Sequence, residues 1–277
     1  MSGLELAVRT SLVLAVALAA LWPLRNQPAA LRHWLLAAAT VLAALLPVLT
    51  RVIPDMPIPA AGWASEPIQT GSAPIVTTDA VFSMTDSAAV SPDRFDWLAV
   101  ASQVWAVGAG LSVSVLIFAM LWLTWLGSRA RDAGLQWQQA ADNLRSRLGM
   151  RQRVRIAITQ HPAMLVTWGA VSPVILLPAG ADEWAPERIR LVLAHELAHL
   201  ARRDWLIQLL AEIGRAVNWY NPLFWIVCAR LRRESEHACD DIVLELGISG
   251  TSYASQLIDL ARSFSVHGRT WLPAPSI

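Results

Sequence analysis

Residues 191–204 read LVLAHELAHLARRD, and most of what can be said about the chain follows from that stretch. His195, Glu196 and His199 stand in the spacing H-E-x-x-H. On an α-helix, four residues advance the chain by about one turn, ~6 Å along the axis, so both imidazoles leave the same face and can grip one metal ion. Glu196, beside the first histidine, is placed to take a proton from water at that metal, the arrangement of a zinc peptidase. The competing reading is a chance match in an ordinary charged helix. With six histidines in 277 residues, that has odds of roughly a percent.

The composition around the motif is not that of a soluble enzyme. Hydrophobic residues make up 55% of the chain and charged residues 16%, with a mean hydropathy of +0.43, which argues for membrane-embedded segments. The net charge of +1 gives no general case for nucleic-acid binding. All side-chain cations apart from histidine are arginine. Cys228 and Cys239 form a lone pair of thiols, weak grounds for a disulfide, and a reducing cytosol would keep both free. Several of the fourteen tryptophans flank apolar runs, where indoles favour the membrane interface.

Outward from the motif toward the N-terminus, the apolar runs predict three membrane spans, at about 4–24, 34–50 and 97–127. The first is short and carries Glu5 and Arg9, so a signal peptide competes with it. The second follows after a short loop, as in a helical hairpin. Residues 51–96 turn to Pro, Ser, Thr and acidic side chains and read as a loop. That loop carries six carboxylates, from Asp55 to Asp96, against Arg51 and Arg94, whereas 128–155 carries seven arginines against Asp132 and Asp142. Arginine-rich segments stay in the cytoplasm, so the 51–96 loop is placed outside and everything from Ser128 inward. Two domains result: a membrane domain over 1–127 and a cytoplasmic domain over 128–277.

Within 128–277 the pattern predicts an amphipathic helix over 136–148, lying on the membrane surface or simply connecting. Short strands follow at 154–159, 164–168 and 174–177. A small sheet before the motif helix offers either packing alone or an edge on which an extended peptide can be laid. The motif helix starts at Pro186 and ends near Arg203. Residues 204–230 read as a broken helical pair packed on it, WLIQLLAEIGRAVNWY and PLFWIVCARL, with a fourth span as the competing reading. Further helices are expected over 234–247 and 251–265.

Two histidines leave a four-coordinate zinc site short of a protein ligand. The segment LRRESEHACDD, 231–241, supplies Glu236 as a carboxylate candidate and His237 as the runner-up; by itself it would read as a solvated charged face.

HELAHLARRD, NWYNPLFW, ESEHACDDIVLELG and the preceding WGAVSPVILLP together resemble the membrane metallopeptidase family of the BlaR and MecR antirepressors. The resemblance covers about 154–247 and implies a predominantly α chain: three membrane helices followed by a cytoplasmic α+β gluzincin-type zinc peptidase domain with a small sheet. It implies Zn2+ held by His195, His199 and Glu236, with Glu196 as the base. It also implies hydrogen bonds from ligand histidines to Asp240 and Asp204, roles in keeping with the carboxylate partners that ligating imidazoles usually have. Cys239 falls where that pattern has a small buried residue. The family's signalling members continue into a further span and an extracellular sensor domain. This chain ends at Ile277 without them, so a role in β-lactam sensing is not carried over.

The function expected is an integral-membrane zinc endopeptidase of a bacterial inner membrane. Its partners would be the lipid bilayer and a protein or peptide substrate, a transcriptional repressor among them, with no direct nucleic-acid contact and a homodimer left open. The alternative is a non-proteolytic transducer or scaffold with a structural zinc site, which would have no need of Glu196. Tyr253, His267 and Arg269 are candidates to steady the oxyanion, none of them in a motif. His33 and His161 read as incidental.

Overall fold

A computed structural model describes residues 3–52, 96–161 and 164–266. The 51–96 loop, apart from its ends, and the tail with His267 and Arg269 lie outside these residues. The described chain is mostly helical, with one small mixed sheet. In order it runs α1 (Gly3–Ala20), α2 (Ala29–Val52), α3 (Trp97–Arg129), β1 (Arg131–Asp132), α4 (Leu135–Arg147), β2 (Arg155–Ile158), β3 (Val166–Trp168), β4 (Val174–Leu177), a 3-10 turn, α5 (Pro186–Arg202), α6 (Asp204–Val217), α7 (Pro222–Glu245) and α8 (Gly250–Val266).

Two of the described helices are long and apolar enough to cross a membrane, Ala29–Pro47 within α2 and the whole of α3. The first expected span is the shorter helix α1, whose opening half carries the Glu5–Arg9 ion pair. Three spans are therefore a finer statement than the helices alone support. α1 packs back on α2, α2 packs on α6 and α7, and α1 on α7, through a shared core of Leu14, Leu36, Ala43, Ala211, Phe224, Val227 and Leu231.

The sheet has the order β1-β2-β4-β3. β2 and β4 are parallel, and β1 and β3 are antiparallel additions at the two edges. Side chains alternate along each strand. Ile156, Ile158, Ile175 and Leu177 enter the larger core with Trp137, Leu193 and Leu197, whereas Ala157 and Leu176 face the opposite way, toward Trp168 and the end of α3. The two-residue strand β1, too short to leave a periodic signal, was not expected. Helix α4 turns Trp137, Ala141 and Leu144 into the larger core against α5, so of the two readings for that segment the connecting helix is the one built.

The largest departure lies at 222–245. The expected helix PLFWIVCARL and the expected helix after Glu234 are one continuous α7. Arg232 reaches Glu212 and Glu234 pairs with Arg32 and Arg230, so the charges between the two expected helices are held in place without ending the helix.

Candidate metal centre

Helix α5 begins with Pro186 in its first turn, where a missing N–H costs nothing, and buries Leu193, Leu197 and their neighbours against the sheet. That packing fixes its rotation and turns His195 and His199 into a cleft. The helix stops because Arg203 takes a left-handed conformation, φ 60°, and closes the last turn by donating its N–H to the carbonyls of His199 and Leu200. For a residue with a Cβ this conformation costs roughly 1–2 kcal/mol. It sends the next residue, Asp204, back over His199.

The two imidazoles and Glu236 of α7 converge. His195 Nε2 and His199 Nε2 are 3.2 Å apart, and the Glu236 carboxylate oxygens lie 3.4 Å from the first and 3.7 Å from the second. Ligands at ~2.0–2.1 Å around a tetrahedral zinc ion are separated by about 3.4 Å. Two imidazoles and one carboxylate, so spaced, form a donor set suited to zinc with a fourth position left open. His237, the other candidate, is exposed and borders a separate depression with Asn26 and Asp241.

Each histidine presents Nε2 to the cleft because its Nδ1 is engaged behind it. His199 Nδ1 lies 3.0 Å from Asp204 Oδ2, a buried carboxylate that also accepts from Ser235 Oγ at 2.7 Å and Arg202 Nε at 3.1 Å. Burial acts to raise the pKa of Asp204, but the hydrogen bond from His199, the Arg202 charge and the Ser235 hydroxyl outweigh it and bring it down to about 2. His195 Nδ1 lies 2.9 Å from the Tyr253 hydroxyl, which donates onward to Asp240 Oδ1, itself 3.5 Å from the imidazole. Burial would lower the pKa of His195. Its bonds with Asp240 and Glu236 dominate and raise it to about 10, so a proton competes with a metal for this nitrogen.

Glu196 is buried, and its Oε2 accepts a hydrogen bond of 2.6 Å from Thr167 Oγ1 on β3. β3 is an edge strand, with no partner on its outer side among the described residues. A cavity of about 260 Å³ opens between this edge and the two histidines, lined also by Leu200, Trp205, Gln208 and Arg232. The Gln208 amide is buried in that wall with no hydrogen-bond partner among the described residues.

The structure thus brings together His195, Glu196, His199, Asp204, Glu236 and Asp240. Tyr253 is present in another place than that considered for it: it stands behind His195, on the Nδ1 side. Thr167, Ser235 and Arg232 carried no sequence signal, since each lies about thirty residues or more from the motif histidines, and Gln208, nine residues beyond His199, sits in an apolar helix with no pattern that marks it. His33 is not incidental. It is fully buried, with Nε2 3.7 Å from Asp204 Oδ1. Cys239 is buried 3.2 Å from His199 Nδ1, and burial together with the Asp204 charge pushes its thiol pKa far up. Cys228 and Cys239 are both free thiols, eleven residues apart on the one helix α7.

The profile of the family described as BlaR1 peptidase M56 matches residues 2–275. A stretch of 80 residues, 29% of this chain, is 35% identical to the protein named Regulatory protein BlaR1 of Bacillus licheniformis. The matched stretch spans 13% of the length of that relative.

Proposed function

The chain belongs to the BlaR1 peptidase M56 family, and from that footing we propose that it is an integral-membrane zinc endopeptidase. Its substrate is a cytoplasmic or membrane-proximal regulatory protein, a transcriptional repressor among the candidates, a reading supported by the resemblance to the antirepressor family. The observation that carries the reading is the convergence of His195, His199 and Glu236, their ligand atoms all within 4.8 Å of one another, beside the buried carboxylate of Glu196. A site meant only to hold structure needs the three ligands and has no use for the fourth residue.

His195, His199 and Glu236 would hold the ion. A bound zinc supplies a Lewis acid that acidifies water and polarises a peptide carbonyl. Glu196, its carboxylate steadied by Thr167, takes the proton of the attacking water and delivers it to the leaving amine. The free edge of β3 supports an extended substrate paired backbone to backbone across the cleft. For the membrane, α2 and α3 support two crossings and α1 a third, with the arginine-rich segment after α3 supporting a cytoplasmic catalytic domain over 128–277.

Comparing new protein N-termini in cells making the wild type and the Glu196→Gln variant tests this reading, with zinc measured in both purified proteins. Wild type should generate termini that the variant does not, at equal zinc content. Identical termini from both would move the chain to the non-proteolytic reading, and absence of stoichiometric zinc from the wild type would remove the metal site.

A further inference from the structure

Helix α6 wears its polarity inside out. Asp204, Gln208 and Glu212 point inward, at 2%, 3% and 5% exposure, while Leu206, Leu210 and Ile213 point outward, at 38%, 41% and 43%. The outward stripe continues through the turn into α7 with Tyr220, Trp225 and Ile226. Water-facing helices have the reverse arrangement.

The neighbours of this hairpin give its depth. α6 starts with Asp204 beside His33, near the beginning of α2, and ten residues later Gly214 meets Ala44, eleven residues further along α2. The two helices therefore run side by side in the same direction. Against α3, α6 runs the opposite way. Trp205 clusters with Trp122 and Leu126, whereas at the other end Trp105 Nε1 donates to the Val217 carbonyl and the Trp219 indole lies on Gly108, where an added Cβ would come within 2.3 Å of the ring. Gly127, nineteen residues further along α3, receives Trp168 of the sheet in the same manner. That separation is about 28 Å of helix, close to the ~30 Å of a bilayer's hydrocarbon core.

α7 then returns. Asn221, at its start, donates to Ser11 of α1, and Glu234, thirteen residues on, pairs with Arg32 at the start of α2. The polar side chains of the turn are enclosed in protein: Asn218 and Asn221 are both buried, Asn218 donating to the Gly214 carbonyl and Asn221 capping α7 by accepting from the Leu223 N–H. The charges on the outer half of the hairpin, Glu212 and Arg215, pair with each other, and the Arg215 guanidinium lies 4.2 Å over the Trp225 ring. Irregular backbone at membrane depth is tolerated only when it is enclosed in this way.

We propose that α6 and the first half of α7 form a re-entrant hairpin immersed in the bilayer beside α2 and α3, its outer face of Leu206, Leu210, Ile213, Tyr220, Trp225 and Ile226 meeting lipid acyl chains. The inference rests on the membrane reading given above. It places the metal centre at the bilayer surface, because Asp204 and Gln208, at the foot of the hairpin, line the catalytic cavity. The polar face of α6 serves the site, and the apolar face anchors it.

A benzophenone amino acid placed singly at Leu210, Ile226, Phe118 or Val171 tests it in the full chain, reconstituted in phosphatidylethanolamine/phosphatidylglycerol vesicles. Phe118 is an exposed position of α3, and Val171 an exposed position beside the sheet. After illumination, mass spectrometry should find acyl-chain adducts at 210, 226 and 118 and none at 171. Adducts at 118 alone would overturn the hairpin and leave the membrane reading standing. None at 118 would overturn both, and protein–protein dimers at 210 and 226 in place of lipid adducts would make the face an interface between copies.

Discussion

His195 and His199 stand one turn apart on one helix, yet different parts of the molecule hold them. Behind His199 is Asp204, buried at 2% exposure, with Ser235, Arg202, Cys239 and, from the long apolar helix α2, His33 gathered round it. Behind His195 is a pair on the open side, the Tyr253 hydroxyl and Asp240, whose side chain is 36% exposed. The difference teaches that second carboxylates at a metal centre need not be interchangeable. One is built into the junction between helices and helps to hold that junction together. The other chiefly orients a ring.

Breaking the buried side should therefore have the larger effect, on two measurements at once. In Asp204→Asn the acceptor shared by His199, Ser235 and Arg202 loses its charge, and an amide NH2 replaces the buried Oδ1, which has no hydrogen-bond partner among the described residues and faces His33 Nε2 at 3.7 Å. Leaving such buried partners unsatisfied costs about 1–3 kcal/mol, to be read as a lowered unfolding temperature in the metal-free protein. Zinc affinity should fall ~10–100-fold, as for other outer-shell partners of ligand histidines. A variant that lost zinc affinity with unchanged unfolding would show that Asp204 orients a ring and does nothing more.

Asp240→Asn is the matching cut on the open side. Zinc affinity should fall by about tenfold, the low end for such partners, while unfolding of the metal-free protein stays within ~0.5 kcal/mol of wild type, as for most exposed positions. Titration with a competing chelator gives the first quantity and thermal unfolding the second. Equal loss of stability in the two variants would erase the distinction between the sides.

What the sequence made legible follows from range. His195, Glu196 and His199 lie within one helical turn, so their common face can be read from spacing alone. Glu236 was one of two local candidates, with His237, until resemblance to a family favoured it, and Asp204 and Asp240 were reached by that resemblance, because nothing local separates a ligand or its partner from a solvated charge. Thr167, Ser235 and His33 were invisible for the same physical reason carried further: each touches the site through tertiary packing, from β3, α7 and α2, with no pattern of its own. The helices expected over 222–231 and 234–247 are one α7, because the charges of Arg232 and Glu234 find partners on α6 and α2 that no local pattern shows. The strands at 155–158 and 174–177 were legible as short apolar runs bounded by turn residues, since both bury side chains in two opposite cores and present no polar face, whereas β1 has two residues and no pattern to show.

The smallest effect should be at Tyr253, and it sharpens the comparison most. Burial, and next the Asp240 carboxylate, push its hydroxyl pKa well above the ordinary phenol range, so it remains a donor and passes the hydrogen bond of His195 on to Asp240. In Tyr253→Phe the link is lost, but Asp240 Oδ1, only 3.5 Å from His195 Nδ1, is near enough to take over. The loss should be that of one hydrogen bond, about 0.5–1.5 kcal/mol, or ~3–10-fold in zinc affinity. If Tyr253 acts through Asp240, the two substitutions are not independent, and adding Tyr253→Phe to Asp240→Asn should cost almost nothing further. Strict additivity of the two losses would mean that the hydroxyl supports His195 by itself, and that the open side of the site is two separate contacts rather than one relay.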